Sequence, residues 1–507
     1  MLAKTLSVGL VGADADLVQV EVHSTQGVPK FVVVGLPAKS VREAEQRTRS
    51  ALLSSSERWP PSRMVANLAP ASLRKEGTHF DLPLAVGILA ADGKLDPSEV
   101  EGWVFVGELG LDGTVRSVRG VLPAAIAARA SGGRGIVCPA ANAGEAALVE
   151  GLRVVQVATM KECVAFLRGD WLPGPIPPAP PLSETDGDDM SEVRGQPLAR
   201  QALEIAAAGG HSFLMTGAPG CGKTMLARRL PGILPAMSER ESLDITRLHS
   251  VAGLLEQQAG LVTTRPFRSP HHNVSTAGLI GGGAGLARPG EAVLAHHGVL
   301  FMDELPLFRR DALESLRGPL EDGVVRIARS GGSVTFPCRF SLIAAMNPCP
   351  CGYADDRQRA CRCSAQTLAS YRTRVSGPLL DRFDIQLGMT RLSGDDLLSV
   401  PGGEPSSAIR VRVEAARELQ RKRYRSTVAT NASVPKRKLL AGGRVSPDAC
   451  APLRPRIELG SLTGRGVDRV LRVARTLADL AGSQELTAEH VSGALVLYSA
   501  DDREVAA

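Results

Sequence analysis

An apolar run, Ser212-Phe213-Leu214-Met215-Thr216, passes without interruption into Gly217-Ala218-Pro219-Gly220-Cys221-Gly222-Lys223-Thr224, and this junction constrains the fold more than any other part of the chain. The pattern G-x-x-x-x-G-K-[ST] at the end of an apolar strand predicts a buried parallel sheet whose carboxyl end wraps phosphates in backbone N–H groups. In that frame Lys223 neutralises β/γ-phosphate charge, Thr224 ligates Mg²⁺, and the following helix turns its positive end inward. A second apolar strand, Val299-Leu300-Phe301-Met302, ends in Asp303-Glu304. Asp303 is suited to the Mg²⁺ shell and Glu304 to polarising an attacking water. A third, Ser341-Leu342-Ile343-Ala344-Ala345, ends near Asn347, a polar side chain placed for the γ-phosphate or the lytic water. ATP and Mg²⁺ are the cofactors these residues predict.

The 507 residues suggest about three domains at ~150 residues each. A hydrophobic fraction of 44% with 22% charged residues is that of a chain that folds. The clearest boundary is Pro173 to Asp189, where six prolines between 173 and 181 precede Glu184, Asp186, Asp188 and Asp189. Such a segment is stiff and solvated, and it reads as a linker over 173–190. Before it, Val18-Gln19-Val20-Glu21-Val22 and Phe31-Val32-Val33-Val34 read as strands, and Ser40 to Ser54 and Ala124 to Ala130 as helices, predicting an α+β domain over 1–172. An α/β core over 191–392 and a helical portion over 393–507 follow. In the latter, Val467, Val470, Leu471, Ala474, Leu477, Ala478 and Ala481 recur at helical spacing. No run approaches ~18 apolar residues, and Asp14 and Asp16 come too early for a signal peptide, so a cytoplasmic protein with no membrane partner is expected. Nine cysteines, an odd number, argue against a disulfide framework.

The order of P-loop, acidic pair, polar sensor, the arginine of Gly377-Pro378-Leu379-Leu380-Asp381-Arg382-Phe383-Asp384 and a helical end resembles the AAA+ ATPases. The resemblance implies that Arg382 reaches the γ-phosphate of the next subunit and that Arg465, opening the amphipathic helix, is a second sensor; surface ion pairs are the other reading of both. Three further stretches narrow the family: Arg265-Pro266-Phe267-Arg268-Ser269-Pro270-His271-His272, Pro289-Gly290-Glu291 leading to His296-His297-Gly298, and Asn347-Pro348-Cys349-Pro350-Cys351-Gly352. With Val34-Gly35-Leu36-Pro37 and Asn67-Leu68-Ala69-Pro70, they resemble the YifB/ComM family of magnesium chelatase-like ATPases almost from end to end. The resemblance implies a Lon-protease-like N-terminal domain, a chelatase-type AAA+ core and a helical lid. It also implies a homohexameric ring acting on DNA, as a helicase promoting branch migration during DNA uptake. A Lon-type protease needs a serine and a lysine. Lys75-Glu76-Gly77-Thr78-His79-Phe80-Asp81 lacks the serine and Gly120-Val121-Leu122-Pro123-Ala124 lacks the lysine, so Thr78 and His79 are expected to be non-catalytic.

Cys349, Cys351, Cys361 and Cys363 supply four thiols in a short span, enough for a structural zinc site if the loop folds back; unliganded reduced thiols are the competing reading. His271-His272 and His296-His297, taken as strand neighbours pointing to opposite faces, are expected to be poor chelates. Residues Val324 to Phe336 alternate around a glycine turn and predict a β-hairpin; Arg326 and Arg329 on it are candidate DNA-phosphate contacts, with exposed strand-edge arginines as the alternative. From Ile409 to Arg444 eleven Lys and Arg face only Glu414 and Glu418, a net surplus of nine that predicts a DNA-facing surface. Two other functions fit much of the pattern: a chelatase motor inserting Mg²⁺ into a porphyrin, and a nucleotide-controlled assembly scaffold.

Overall fold

The computed structural model describes residues 1–177, 188–255, 260–283, 287–329, 332–354, 359–392, 394, 402–441 and 444–498. The N-terminal domain is built on a mixed seven-stranded sheet in the order Lys30–Val34, Arg63–Ala69, Asp14–Thr25, Leu2–Val11, Trp103–Phe105, Gly135–Pro139, Val154–Val157. Strand alternation does what the sequence requires of it: Val18, Val20 and Val22 are fully buried in one core cluster, while Ala15 and Leu17 pack against a second on the other face. Helix Asp81–Ala91, every residue of which is buried, covers the first face, and helix Val121–Ala130 lies across the strands on the other.

The second sheet is five-stranded and entirely parallel, in the order Phe267–Arg268, Val299–Met302, Ser341–Met346, Phe213–Gly217, Ile385–Met389. Apolar strands buried on both faces need helices on both sides. One cluster, containing Phe213, Phe301 and Ile343, continues into the C-terminal helices Ser406–Tyr424, Gly464–Leu480 and Ala488–Val496, so the core and the lid share interior. Fully buried His211 ties them by hydrogen bonding: Nδ1 meets Asp384 at 3.0 Å and Nε2 meets Thr476 at 2.8 Å.

Asp189 and Met190, at the end of the expected linker, pack on the core. Asp189 accepts the backbone N–H groups of Ser191 (2.8 Å) and Ser406 (3.1 Å), and the fully buried Met190 donates to Ser406 Oγ at 2.8 Å. Glu184 and Asp186 lie outside the described residues. The N-terminal domain also docks on the parallel-sheet core: Gly120 N–H reaches the Ser250 carbonyl at 3.1 Å and Asp14 pairs with Arg247. No helix among the described residues is long and apolar enough to cross a membrane.

Candidate nucleotide-binding site

The P-loop leaves the carboxyl end of Phe213–Gly217 and enters the helix Lys223–Arg228. Gly220 and Gly222 carry φ of +80° and +93°, values that a side chain disfavours, which is why glycine recurs in the loop. Lys223 is buried, and its Nζ donates to the carbonyls of Gly217 (2.7 Å) and Ala218 (3.1 Å) and to Asn347 Oδ1 (3.2 Å). Thr224 Oγ1 donates to Asp303 Oδ2 at 2.7 Å, and Asp303 Oδ1 accepts the N–H of Glu304 at 2.9 Å. Glu304 itself is exposed and sits at φ +53°, a left-handed conformation costly for a glutamate and typical of positions held for function. Three strands, far apart in sequence, therefore bring Lys223, Thr224, Asp303, Glu304 and Asn347 to one sheet end.

Several further residues reach the site that the sequence did not assign to it. His272 Nδ1 stands 3.7 Å from Glu304 Oε2. Gln196 Nε2 donates to the Thr390 carbonyl (2.6 Å) and the Cys221 carbonyl (3.4 Å), and Arg391 donates to the Pro219 carbonyl at 3.3 Å, so both brace the loop. A cleft of about 470 Å³ opens beside Glu304 and Asn347, and Tyr371 and Arg374 line it too. Burial raises the Tyr371 hydroxyl to about 12. The short polar helix Ala365–Arg372 that carries Tyr371 has no apolar periodicity by which to single it out.

Arg382 and Arg465 are elsewhere. Ser212 Oγ donates to the Arg382 carbonyl, which fixes Arg382 at the amino end of Phe213–Gly217. At ~3.3 Å per residue that is roughly 16 Å from the P-loop end. Its guanidinium pairs with Glu321, and burial together with Arg465, Arg317 and Arg469 holds it below its ordinary pKa. Arg465, expected as a second sensor, stands by Arg382 rather than by its own P-loop. One turn on, Arg469 donates to the Phe383 carbonyl at 3.2 Å and stacks on Tyr498.

The four cysteine sulfurs converge. Cys349 lies 3.3 Å from Cys351 and 3.7 Å from Cys361, Cys351 lies 3.6 Å from Cys361, and all four sulfurs fall within 4.8 Å of one another. Backbone N–H groups of Arg362 and Tyr353 pull the Cys351 thiol down to about 6, toward the thiolate a metal needs. The histidine expectation rested on a wrong premise. Both pairs lie in turns, with rings 4.0 Å apart for His271 and His272 and 3.9 Å apart for His296 and His297. His296 Nδ1 accepts the Arg339 N–H at 3.0 Å, and burial takes its pKa down to about 3, so it stays neutral with its proton on Nε2.

The hairpin forms, Val324–Arg329 against Gly332–Pro337, with Arg326 exposed and paired to Asp322 at 2.8 Å. The Arg329 side chain lies outside the described residues. The basic surplus of 409–444 divides: Arg410, Arg412, Arg417 and Arg423 turn to the core, while Arg421, Lys422, Arg425, Lys436, Arg437, Lys438 and Arg444 are exposed. Arg410 donates to the Gly232 carbonyl, Arg412 clamps Glu204 and Glu404, Arg417 donates to the Ala207 carbonyl, and Arg423 pairs with Asp479. These arginines bind the lid to the core. In the N-terminal domain His79 is fully buried against the Val8 carbonyl (2.8 Å), while Thr78 donates to Glu108.

Comparison with known proteins agrees over the whole length. Residues 189–397 match the family "Magnesium chelatase, subunit ChlI", 20–142 match "Subunit ChlI of Mg-chelatase", and 403–497 match "Magnesium chelatase, subunit ChlI C-terminal". An uncharacterized protein of Mycobacterium tuberculosis is 45% identical over 496 residues, covering 97% of this chain and 98% of the relative. Competence protein ComM of Haemophilus influenzae is 40% identical over 97% of both chains. The uncharacterized protein YifB of Escherichia coli is 40% identical over 97% of this chain and 96% of its own.

Proposed function

The chain belongs to the YifB/ComM-like, magnesium chelatase-related family of AAA+ proteins, and from that premise we propose that it is a ring motor that hydrolyses ATP to drive branch migration of DNA. The observation that carries the reading is the joined set Thr224–Asp303 and Lys223–Asn347 at the carboxyl end of the parallel sheet. A hydroxyl 2.7 Å from a carboxylate is a hard-oxygen donor pair suited to Mg²⁺, so Thr224 and Asp303 hold the ion, which neutralises phosphate charge when bound. Lys223 exchanges its loop carbonyls for the β/γ-phosphates, Glu304 takes a proton from the attacking water, and Asn347 orients that water or the γ-phosphate. Arg382 and Arg465, at the far end of the sheet from their own P-loop, serve the site of the adjacent copy in a hexamer.

The cysteine cluster takes one zinc ion in this reading. Tetrahedral Zn–S bonds of ~2.3 Å place sulfurs about 3.8 Å apart, close to the 3.6 and 3.7 Å seen here. The exposed hairpin, with Arg326 and Arg329, grips DNA phosphates. Arg410, Arg412, Arg417 and Arg423 are left out of this contact, since the core already holds them, while the exposed Lys422, Arg425, Lys436, Arg437 and Lys438 remain available to it. The test is ATP turnover with no DNA, single-stranded, duplex and branched DNA. Turnover rises most with branched DNA, and Arg326→Ala lowers the stimulation while sparing basal turnover. DNA that neither binds at low salt nor alters turnover, with stimulation by a porphyrin-bearing partner instead, overturns the DNA reading in favour of a chelatase motor.

A further inference from the structure

The cleft beside Glu304 and Asn347 contains a cation that the hydrolytic set does not use. Arg374 follows the helix Ala365–Arg372 and lines the same cavity of about 470 Å³ as Glu304, Asn347 and Tyr371. Among the described residues no carboxylate pairs with its guanidinium, whereas Arg382 is paired to Glu321. Tyr371, buried, lines the same cleft. Its hydroxyl feels the charges of both Glu304 and Arg374. The helix is fixed at its start as well. Ser364 Oγ caps it by accepting the Thr367 N–H at 3.2 Å, directly after Cys363 and the cysteine cluster.

Charge bookkeeping gives this placement a meaning. Glu304 and Asp303 put two carboxylates at the γ-phosphate end of the site, and within one chain Lys223 is the only cation so far assigned there. Negative charge on the γ-phosphoryl oxygens must be met in the transition state, and a planar guanidinium meets two oxygens at once. Arg382 and Arg465 sit at the opposite sheet end of their own chain, so neither serves this need in cis. We propose that Arg374 is a catalytic residue that binds the γ-phosphoryl group of ATP held by its own subunit. This rests on the reading of the site as hydrolytic. In the step, the water oxygen bonds to the γ-phosphorus as the bond from that phosphorus to the β–γ bridging oxygen breaks. The water proton goes to Glu304, and ADP leaves with the electron pair; Arg374 contributes charge and no proton.

The experiment compares full-length wild type, Arg374→Ala and Arg374→Lys, then mixes variants. Arg374→Ala is expected to lower kcat by ~10²-fold or more, by the usual size of a lost transition-state donor, with ADP affinity within about twofold of wild type and a partial recovery in Arg374→Lys. Zinc content and melting temperature stay at wild-type values, which a merely structural role would not allow alongside that loss. Mixing Arg374→Ala with Lys223→Ala subunits leaves activity lost, because every subunit able to hold ATP lacks its own Arg374. Mixing Arg382→Ala with Lys223→Ala restores part of it. Wild-type turnover in Arg374→Ala, or recovery of its mixture with Lys223→Ala, overturns the cis assignment. Absence of hydrolysis by wild type, or unaltered hydrolysis by Lys223→Ala, instead overturns the hydrolytic reading beneath it.

Discussion

Asp479 holds the lid together, and replacing it by asparagine should cost far more than one hydrogen bond. Its carboxylate is wholly buried between two guanidiniums that are themselves buried, those of Arg423 and Arg475. Arg423 Nη1 donates to Oδ2 at 2.9 Å, Arg475 Nε to Oδ1 at 3.3 Å, and Asn431 Nδ2 to Oδ2 at 2.9 Å. Asn431 also donates to Thr476, which meets His211 of the core. Asp479→Asn preserves volume but leaves two buried cations facing each other. Removing one partner of a buried ion pair costs ~3–5 kcal/mol. For a unit this size that lowers the melting temperature by roughly 10 °C. All three tryptophans, Trp59, Trp103 and Trp171, belong to the N-terminal domain. In urea titrations of the full chain the helical circular-dichroism signal of the variant should therefore fall before tryptophan fluorescence changes. Adding Arg423→Gln should cost less than the sum of the single changes by about 1.5 kcal/mol or more. A variant within about 1 kcal/mol of wild type, or strict additivity, refutes the reasoning.

The remaining predictions address the other parts of the molecule. His79 is held near 4 by burial against an ordinary value of 6.5, so its stabilising contribution is complete above pH 6.5 and is lost as pH falls toward 4. Tryptophan-monitored unfolding should show a loss of up to about 3 kcal/mol over that window, flattened in His79→Gln; an unchanged slope contradicts it. Elemental analysis should find one zinc per chain, absent from Cys361→Ser; four freely titrating thiols in metal-replete protein reject the site. Mixed rings of Arg382→Ala and Lys223→Ala subunits should recover part of the ATP turnover each lacks alone, and a protein that stays monomeric with ATP and DNA contradicts the shared site.

What could be read from the chain beforehand was whatever depends on near neighbours. The P-loop, the apolar strand before Asp303 and the pairing of Val324–Arg329 with Gly332–Pro337 are local patterns whose backbone demands are met by near neighbours. Long-range pairing was not legible. Arg412 and Arg423 read as part of a basic surface because their partners, Glu204 and Asp479, are remote in sequence, and a charge count has no knowledge of burial. For the histidine pairs the strand premise failed, because the backbone turns there, while the packing role expected of His296 stands on its hydrogen bond from Arg339. Arg382 and Arg465 meet because the Arg382 carbonyl is held at one end of a strand, by Ser212, and Arg469 holds the lid helix against the Phe383 carbonyl. Tyr371 and Arg374 come to the site only because the cysteine loop returns the chain to Asn347.

The most direct test of the central claim is ATP-dependent migration of a branched DNA substrate by wild type and by Glu304→Gln, with nucleotide and DNA binding measured on the same preparations. The account predicts that wild type moves the branch only while ATP is hydrolysed, and that Glu304→Gln binds ATP and DNA but loses turnover by ~10²-fold or more and migration with it. Migration by Glu304→Gln at the wild-type rate, or none by a wild-type protein that turns over ATP, contradicts it.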